Sequence, residues 1–245
     1  MDENIKSKPP QLSEATLFRM SRYLNVLEEF SQKGIQYIST SKLAFLLGVN
    51  PAVVKQDFLP LKVKGQTGVG YEVPQLLQTI REVFLSRRTL TFAIVGFGNI
   101  GQALASYQGF ERDGFKVGGI FDSNPKFQNY SVRGVKIEDV ENLTRICRER
   151  QIDIGVICTP ASVAQEVADQ LVLGGVKGIW NFAPTELIVP EHVILVHEHL
   201  TRGLLTISYH ISQRYGVDQI PEDVDQNPVL TSPPESAEAQ SSTAE

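Results

Sequence analysis

Apolar residues in the first third of the chain recur at three- and four-residue steps. Leu17, Met20, Leu24, Leu27 and Phe30 trace one helical face, opened by Ser13 before Glu14-Ala15-Thr16 and ended at Gly34. Thr40-Ser41 opens a short helix bearing Leu43, Ala44, Leu46 and Leu47, which Gly48 ends. Asn50-Pro51 starts a third helix over Ala52 to Phe58. Lys62 to Tyr71 breaks the periodicity with three glycines and two lysines, and Pro74 begins a further helix with Leu76, Leu77, Ile80, Val83 and Phe84. Beyond Arg87-Arg88-Thr89 the pattern changes to apolar runs separated by helical stretches: strands at 92–95, 115–121, 154–158 and 193–196, helices at 99–108, 140–150 and 164–173, and a short strand or hairpin around Gly134. The last helix, Leu200 to Ile211, is apolar around much of its circumference, which suits packing against a partner or another domain.

Two motifs carry chemistry. Phe92-Ala93-Ile94-Val95 runs into Gly96-Phe97-Gly98-Asn99-Ile100-Gly101 and an alanine-rich helix. In a strand–turn–helix of this kind the first glycine permits the turn, the second lets a pyrophosphate approach the backbone, and the third lets helix and strand pack closely. Asp122 lies 21 residues past Gly101, at the end of the next apolar run. That spacing suits a carboxylate on the adenosine ribose hydroxyls, and it favours NAD over NADP. The bland alternative is a related fold that kept the turn and lost the ligand. Thr159-Pro160 and Asn181-Phe182 follow later strands, at carboxyl ends where open α/β sheets bind ligands.

The second motif is the trio of short helices. Helix, turn and second helix is a helix-turn-helix pattern, whose second helix would enter a major groove. Asn50, Val53, Lys55 and Gln56 are its surface candidates, and the lysine–glycine segment after it suits a wing that tracks phosphates. Three-helix domains also serve as dimerisation modules, and the wing segment also fits a plain β-turn.

Charge sharpens this division. Residues 1–88 carry 12 basic and 8 acidic residues, net +4, whereas 89–245 carry 11 basic and 20 acidic, net −9. Pro221 to Glu245 has four prolines, six acids and no basic residue, which predicts a disordered tail. No run approaches 18 apolar residues and no apolar leader opens the chain, so a cytoplasmic protein without membrane contact is expected. Cys147 and Cys158 suggest neither a disulfide scaffold nor a metal site. His192, His197, His199 and His210 stand without other catalytic residues, so no enzyme is expected.

From about Leu12 to Tyr209 the chain resembles the Rex family of bacterial redox-sensing transcriptional repressors. The resemblance rests on Ala15-Thr16 with Arg19, Ser39-Thr40, Leu43-Ala44, Gly48-Val49, Gly68-Val69-Gly70-Tyr71, Gly96 to Gly101, Tyr107, Gly109-Phe110, Phe121-Asp122, Pro125, Pro160-Ala161, Ala168-Asp169 and Asn181 to Pro184. It implies an α/β homodimer: a flexible 1–11, a winged helix-turn-helix domain over 12–88, and a Rossmann NAD-binding domain over 89–198. An exchanged C-terminal dimerisation helix over 199–216 and the acidic tail 217–245 would follow. It further implies that NADH favours release from operator DNA and that NAD+ permits binding. The implied nucleotide contacts are Gly96, Gly98, Asn99, Ile100, Gly101, Tyr107, Asp122, Thr159, Pro160, Asn181 and Phe182. The implied DNA contacts are Ser39, Thr40, Asn50, Val53, Lys55, Gln56, Lys62, Lys64 and Thr67. The chain departs from the family where DNA is read. The family's Arg-Lys-Asp is Lys55-Gln56-Asp57, its wing arginine is Thr67, and the arginine and aspartate of its switch fall on Asn25 and His199. A weakened or altered DNA affinity is therefore expected, with a nucleotide-binding paralogue that has lost its operator as the alternative. A dehydrogenase is a more distant reading.

Overall fold

A computed structural model describes residues 10–84, 88–128 and 130–216. The expected flexible N-terminus, apart from residues 10 and 11, and the acidic tail lie outside the described residues. The chain divides into two units, 1–198 and 199–245.

The first unit begins with helices α1 (Glu14–Gln32), α2 (Thr40–Leu47) and α3 (Pro51–Phe58), followed by α4 (Val73–Phe84). Each of the first three has a side-chain N-cap: Ser13 accepts from Thr16 N–H, Ser39 from Lys42 N–H, and Asn50 from Ala52 N–H. Met20, Tyr23 and Leu27 of α1 are buried with Leu43, Val54, Phe58, Leu76 and Ile80. The Phe58 ring sits 4.9 Å from Tyr23 and 5.1 Å from Tyr71. Tyr71 follows the wing as part of strand β2 (Tyr71–Glu72), antiparallel to β1 (Tyr37–Ile38). The strand β1 leaves no periodic trace in two residues.

One polar cluster lies inside this helical packing. Asp57 of α3 is buried and accepts two hydrogen bonds at 2.7 Å from the Arg19 guanidinium and one at 3.0 Å from the Tyr23 hydroxyl. Burial first, and then the Asp57 charge, pushes the Tyr23 phenol well up, so it remains a donor.

The remainder of the unit is a seven-stranded sheet. Its strands are β3 (Leu90–Val95), β4 (Phe115–Asp122), β5 (Ser131–Val132), β6 (Val135–Asp139), β7 (Ile154–Ile157), β8 (Gly178–Asn181) and β9 (Ile194–His197). The order is β5-β6-β4-β3-β7-β8-β9, all parallel except the β5–β6 hairpin. Leaving out β5, this is the doubly wound 3-2-1-4-5-6 order of the Rossmann fold, which reverses beside β3. Helices α5 (Asn99–Ser106), α6 (Gly109–Arg112), α7 (Leu143–Glu149) and α8 (Ala161–Leu173) connect the strands. Alternate residues of β3 serve opposite faces. Ala93 and Val95 join the layer with α7 and α8, and Phe92 and Ile94 join the layer with α5. Several boundaries differ from the sequence expectation. Among them, helix α8 starts three residues early, a short helix α6 forms between the expected helix 99–108 and strand 115–121, and α7 is preceded by a 3-10 turn at Val140–Asn142.

Asp153 anchors the start of β7. It is buried and takes the Arg88 guanidinium through two bonds, Lys177 at 3.1 Å and the Thr91 N–H at 3.1 Å. The Arg88 bonds, opposed by burial and joined by the Thr91 N–H, lower its carboxyl from 3.8 to about 2. The folded pKa lies below the unfolded one, so this contribution is complete above about pH 4 and is lost as pH falls toward 2. Asp153→Asn is expected to cost about 2 kcal/mol at neutral pH. The gap to the parent should narrow below pH 4, which urea unfolding at a series of pH values would read.

The second unit contains α9 (Arg202–Tyr215), two residues later at its start than the apolar pattern suggests. Leu204, Ile207, Ile211 and Tyr215 fall on one face, and every described residue of the helix is exposed.

Candidate dinucleotide cleft and DNA-reading face

The sheet order reverses between β3 and β7, and a cleft of about 670 Å³ opens at that point, over the strands' carboxyl ends. Its floor is the glycine turn. Gly96 has φ +97°, and a Cβ there would stand 2.7 Å from the Cys158 carbonyl oxygen. At Gly101 a Cβ would stand 2.0 Å from the Gly96 carbonyl, so the helix seats on the turn only without a side chain. Gly98 differs. A Cβ there meets nothing within 4 Å, because the position faces the cleft. It is also the N-cap of α5 and carries no side-chain cap, which leaves the first-turn N–H groups directed at the cleft.

Asp122 closes one side. One carboxylate oxygen accepts the Phe97 N–H at 2.6 Å and the other accepts the Asn124 N–H at 2.7 Å. The carboxylate thus braces the glycine turn, and Phe97 packs its ring 5.4 Å from Phe127. On the opposite side stand Thr159 and Pro160, leading into α8. The Thr159 Oγ1 is shielded from solvent without a hydrogen-bond partner among the described residues. A shielded hydroxyl of this kind is suited to a polar ligand group. Cys158 lies beside it, and burial pushes its thiol up to about 12. A thiol so far from ionisation is no redox nucleophile.

The cleft therefore gathers Gly96, Gly98, Ile100, Asp122, Thr159, Pro160 and Phe182. Asn99 is exposed at the first position of α5, and Gly101 lies buried beneath the turn. Two candidates stand elsewhere. Asn181 is fully buried, and its amide is spent on the Ala183 backbone at 2.9 and 3.2 Å, on Thr185 O at 2.9 Å and on His197 at 3.1 Å. Tyr107 caps α5 at the opposite end and lines a separate apolar hollow with Phe92, Phe110, Phe115 and Trp180. The far wall of the cleft is Val140, Val163, Val167, Glu166 and Gln170, which the sequence pattern does not single out. The signal was the start of α8, since a helix opening at Ala161 places Val163 and Glu166 in its first turns over the strand ends.

In the N-terminal part, Lys55, Gln56, Lys62, Lys64 and Thr67 are exposed, while Thr40 and Val53 are half-buried. Ser39 and Asn50 hold helix N-termini with their side-chain oxygens. Their hydroxyl and amide oxygens are thus committed to caps rather than left free for bases.

Residues 11–58 match the family described as DNA-binding protein N-terminus, and residues 88–185 match the CoA binding domain family. The chain is 40% identical over 206 residues to the redox-sensing transcriptional repressor Rex of Clostridium beijerinckii, covering 84% of this chain and 98% of that one. The chain belongs to the Rex family. A second Rex, from Thermoanaerobacter pseudethanolicus, is 38% identical over 207 residues, 84% of this chain and 92% of that one. Among solved structures, the Rex-family repressor RSP in complex with β-NAD+ and operator DNA superposes with a TM-score of 0.77 at 38% identity, covering 83% of this chain and 94% of that one. RSP in complex with β-NADH superposes at 0.76 and 38%, over 82% and 95%.

Proposed function

We propose that this chain is a dimeric, cytoplasmic transcriptional repressor that senses the NADH/NAD+ balance through the cleft at the sheet's reversal point. The observation that carries this reading is the combination of Gly98, open to the cleft, with a braced Asp122 and the partnerless Thr159 hydroxyl. The turn and the α5 N-terminus take the pyrophosphate, and Asp122 accepts the adenosine ribose hydroxyls. Ile100, Thr159, Pro160 and Phe182 line the half toward the nicotinamide. The family membership and the RSP complexes with β-NAD+, β-NADH and operator DNA support the same ligands. The proposed domain limits are 12–88 for the DNA-reading domain, 89–198 for the nucleotide domain and 199–216 for the dimerisation helix.

Dimerisation is supported by two uncovered apolar surfaces. On the α5 side of the sheet, Ile154, Trp180, Ile194 and Val196 line an open apolar hollow across β7, β8 and β9. Ile194 is 71% and Val196 51% exposed there. The helix α9 exposes its own apolar face. In a two-fold dimer each copy's helix covers such a surface on its partner.

DNA contact falls to α3 and the wing, through Lys55, Gln56, Lys62, Lys64 and Thr67. Lys55 lacks the rigid fork with which arginine grips guanine. Gln56 and Thr67 each lack a charge, and each lost phosphate contact flattens the salt dependence by about one unit. A mobility-shift assay with a family-type palindrome at two salt concentrations, with and without NADH, tests the reading. Sedimentation of the same sample should give twice the 27.2 kDa chain mass. Weak, salt-sensitive binding that NADH releases is the expected result. Tight NADH binding with no shift at low salt would select the paralogue that has lost its operator, a reading favoured by the exposed Gln56 and Thr67. A stable monomer would refute the exchanged helix.

A further inference from the structure

We infer that Glu166 acts with Asp122 as a charge filter at the adenosine end of the cleft, rejecting nucleotides that carry a phosphate on the adenosine ribose. The inference rests on the nucleotide reading of the cleft and adds to it a selectivity residue on the wall opposite Asp122. Three observations carry it. Among the described residues no lysine, arginine or histidine lines the cleft, whereas both Asp122 and Glu166 do. Asp122 cannot swing away from a repelling group, because the Phe97 and Asn124 N–H groups hold both its oxygens. Glu166 is exposed and forms no hydrogen bond or ion pair within the described residues.

The positive features of the cleft lie elsewhere. They are the uncapped N-termini of α5, at Gly98, and of α8, at Pro160. Backbone N–H groups there attract the two charges of a pyrophosphate. Asp122 and Asn124 line the cleft at the end of β4, and Glu166 and Gln170 line it from α8, which follows β7 on the other side of β3, so an adenosine held by Asp122 would face the α8 wall. A dinucleotide with free ribose hydroxyls brings no charge to this end. A 2′-phosphate, as in NADPH, or a 3′-phosphate, as in coenzyme A, brings close to two negative charges between two carboxylates. Each carboxylate facing a dianion across a solvated cleft is expected to weaken binding roughly tenfold. The point has force because residues 88–185 match the CoA binding domain family, whose fold alone does not exclude the 3′-phosphate.

The test uses the full chain and two variants, Glu166→Gln and Glu166→Lys, with Asp122 intact. NADH and NADPH are titrated directly, and coenzyme A and its 3′-dephospho form are titrated by displacement of NADH, each at low and high salt. The affinity ratio of NADPH to NADH, and of coenzyme A to its dephospho form, should rise about tenfold in Glu166→Gln and further in Glu166→Lys, whatever the change common to all four ligands. In the parent chain, added salt should narrow the NADH/NADPH gap as screening weakens the repulsion. Unchanged NADPH/NADH and coenzyme A/dephospho-coenzyme A ratios in both variants would overturn the filter while leaving the nucleotide site standing. Equal binding of NADH and NADPH by the parent would overturn it as well. A folded parent chain that binds no NADH would remove the nucleotide reading and the filter together.

Discussion

Gly98→Val is expected to fold and to lose the dinucleotide. A Cβ at this position meets nothing within 4 Å, and φ is −74°, a value that any L-residue adopts. Surface changes of this kind shift stability by about 0.5 kcal/mol or less, or about 2 °C in melting temperature. The added side chain fills the space through which the pyrophosphate approaches the backbone, so NADH and NAD+ should both bind at least about a hundredfold more weakly, ~3 kcal/mol. Gly101→Val is the matched control with the opposite signature. Its Cβ would stand 2.0 Å from the Gly96 carbonyl oxygen, so the turn itself must give way and stability should fall with binding. Thermal melts and NADH titrations on the two variants separate the outcomes. A Gly98→Val protein that binds NADH normally would show that the ligand does not approach through this turn.

Asp57→Ala is expected to destabilise the N-terminal helices by about 3–5 kcal/mol, the cost of removing one partner from a buried charged network. The substitution strands the Arg19 guanidinium and the Tyr23 hydroxyl, both of which donate to Asp57 across the α1–α3 packing. Asp57→Asn keeps an acceptor but not the charge and should fall between the two. Hydrogen exchange would locate the loss in α1 and α3, with the nucleotide sheet unaffected and NADH titration unchanged. A cost below 1 kcal/mol would mean that apolar packing of Phe58 against Tyr23 and Tyr71 seats α3 without the charge.

The glycine turn and the carboxylate that braces it are legible in the chain because their constraints are local. A turn that admits only glycine and a carboxylate at the end of the neighbouring strand are fixed by short spacings, so Gly96, Gly98, Gly101 and Asp122 can be read directly. Partnerships across the fold leave no such trace. Asn181 follows an apolar strand, as a cleft residue would, yet its amide goes to Ala183, Thr185 and His197 inside the protein. Ser39 and Asn50 are polar residues at the head of helices, where a base contact and an N-cap look alike in sequence. Asp57 reads as part of a DNA-facing triplet, and only the packing of α1 on α3 turns it inward. The strand that follows the wing pairs with β1, and each is only two residues long, too short for alternation to register. The far wall of the cleft was missed for a related reason: Val163 and Glu166 matter through where α8 begins, and helix starts without a side-chain cap are weakly marked.

The Asp122 carboxylate is held by the protein's own backbone, at Phe97 and Asn124. Its orientation belongs to the folded domain, and the entropy of ordering it falls on folding and not on recognition. Under the proposed nucleotide reading a ribose at this site would meet a fixed acceptor pair, so the adenosine end would be recognised by rigid geometry. Because NADH and NAD+ carry the same adenosine, a carboxylate fixed in this way would hold both forms alike and leave their distinction to the nicotinamide half of the cleft.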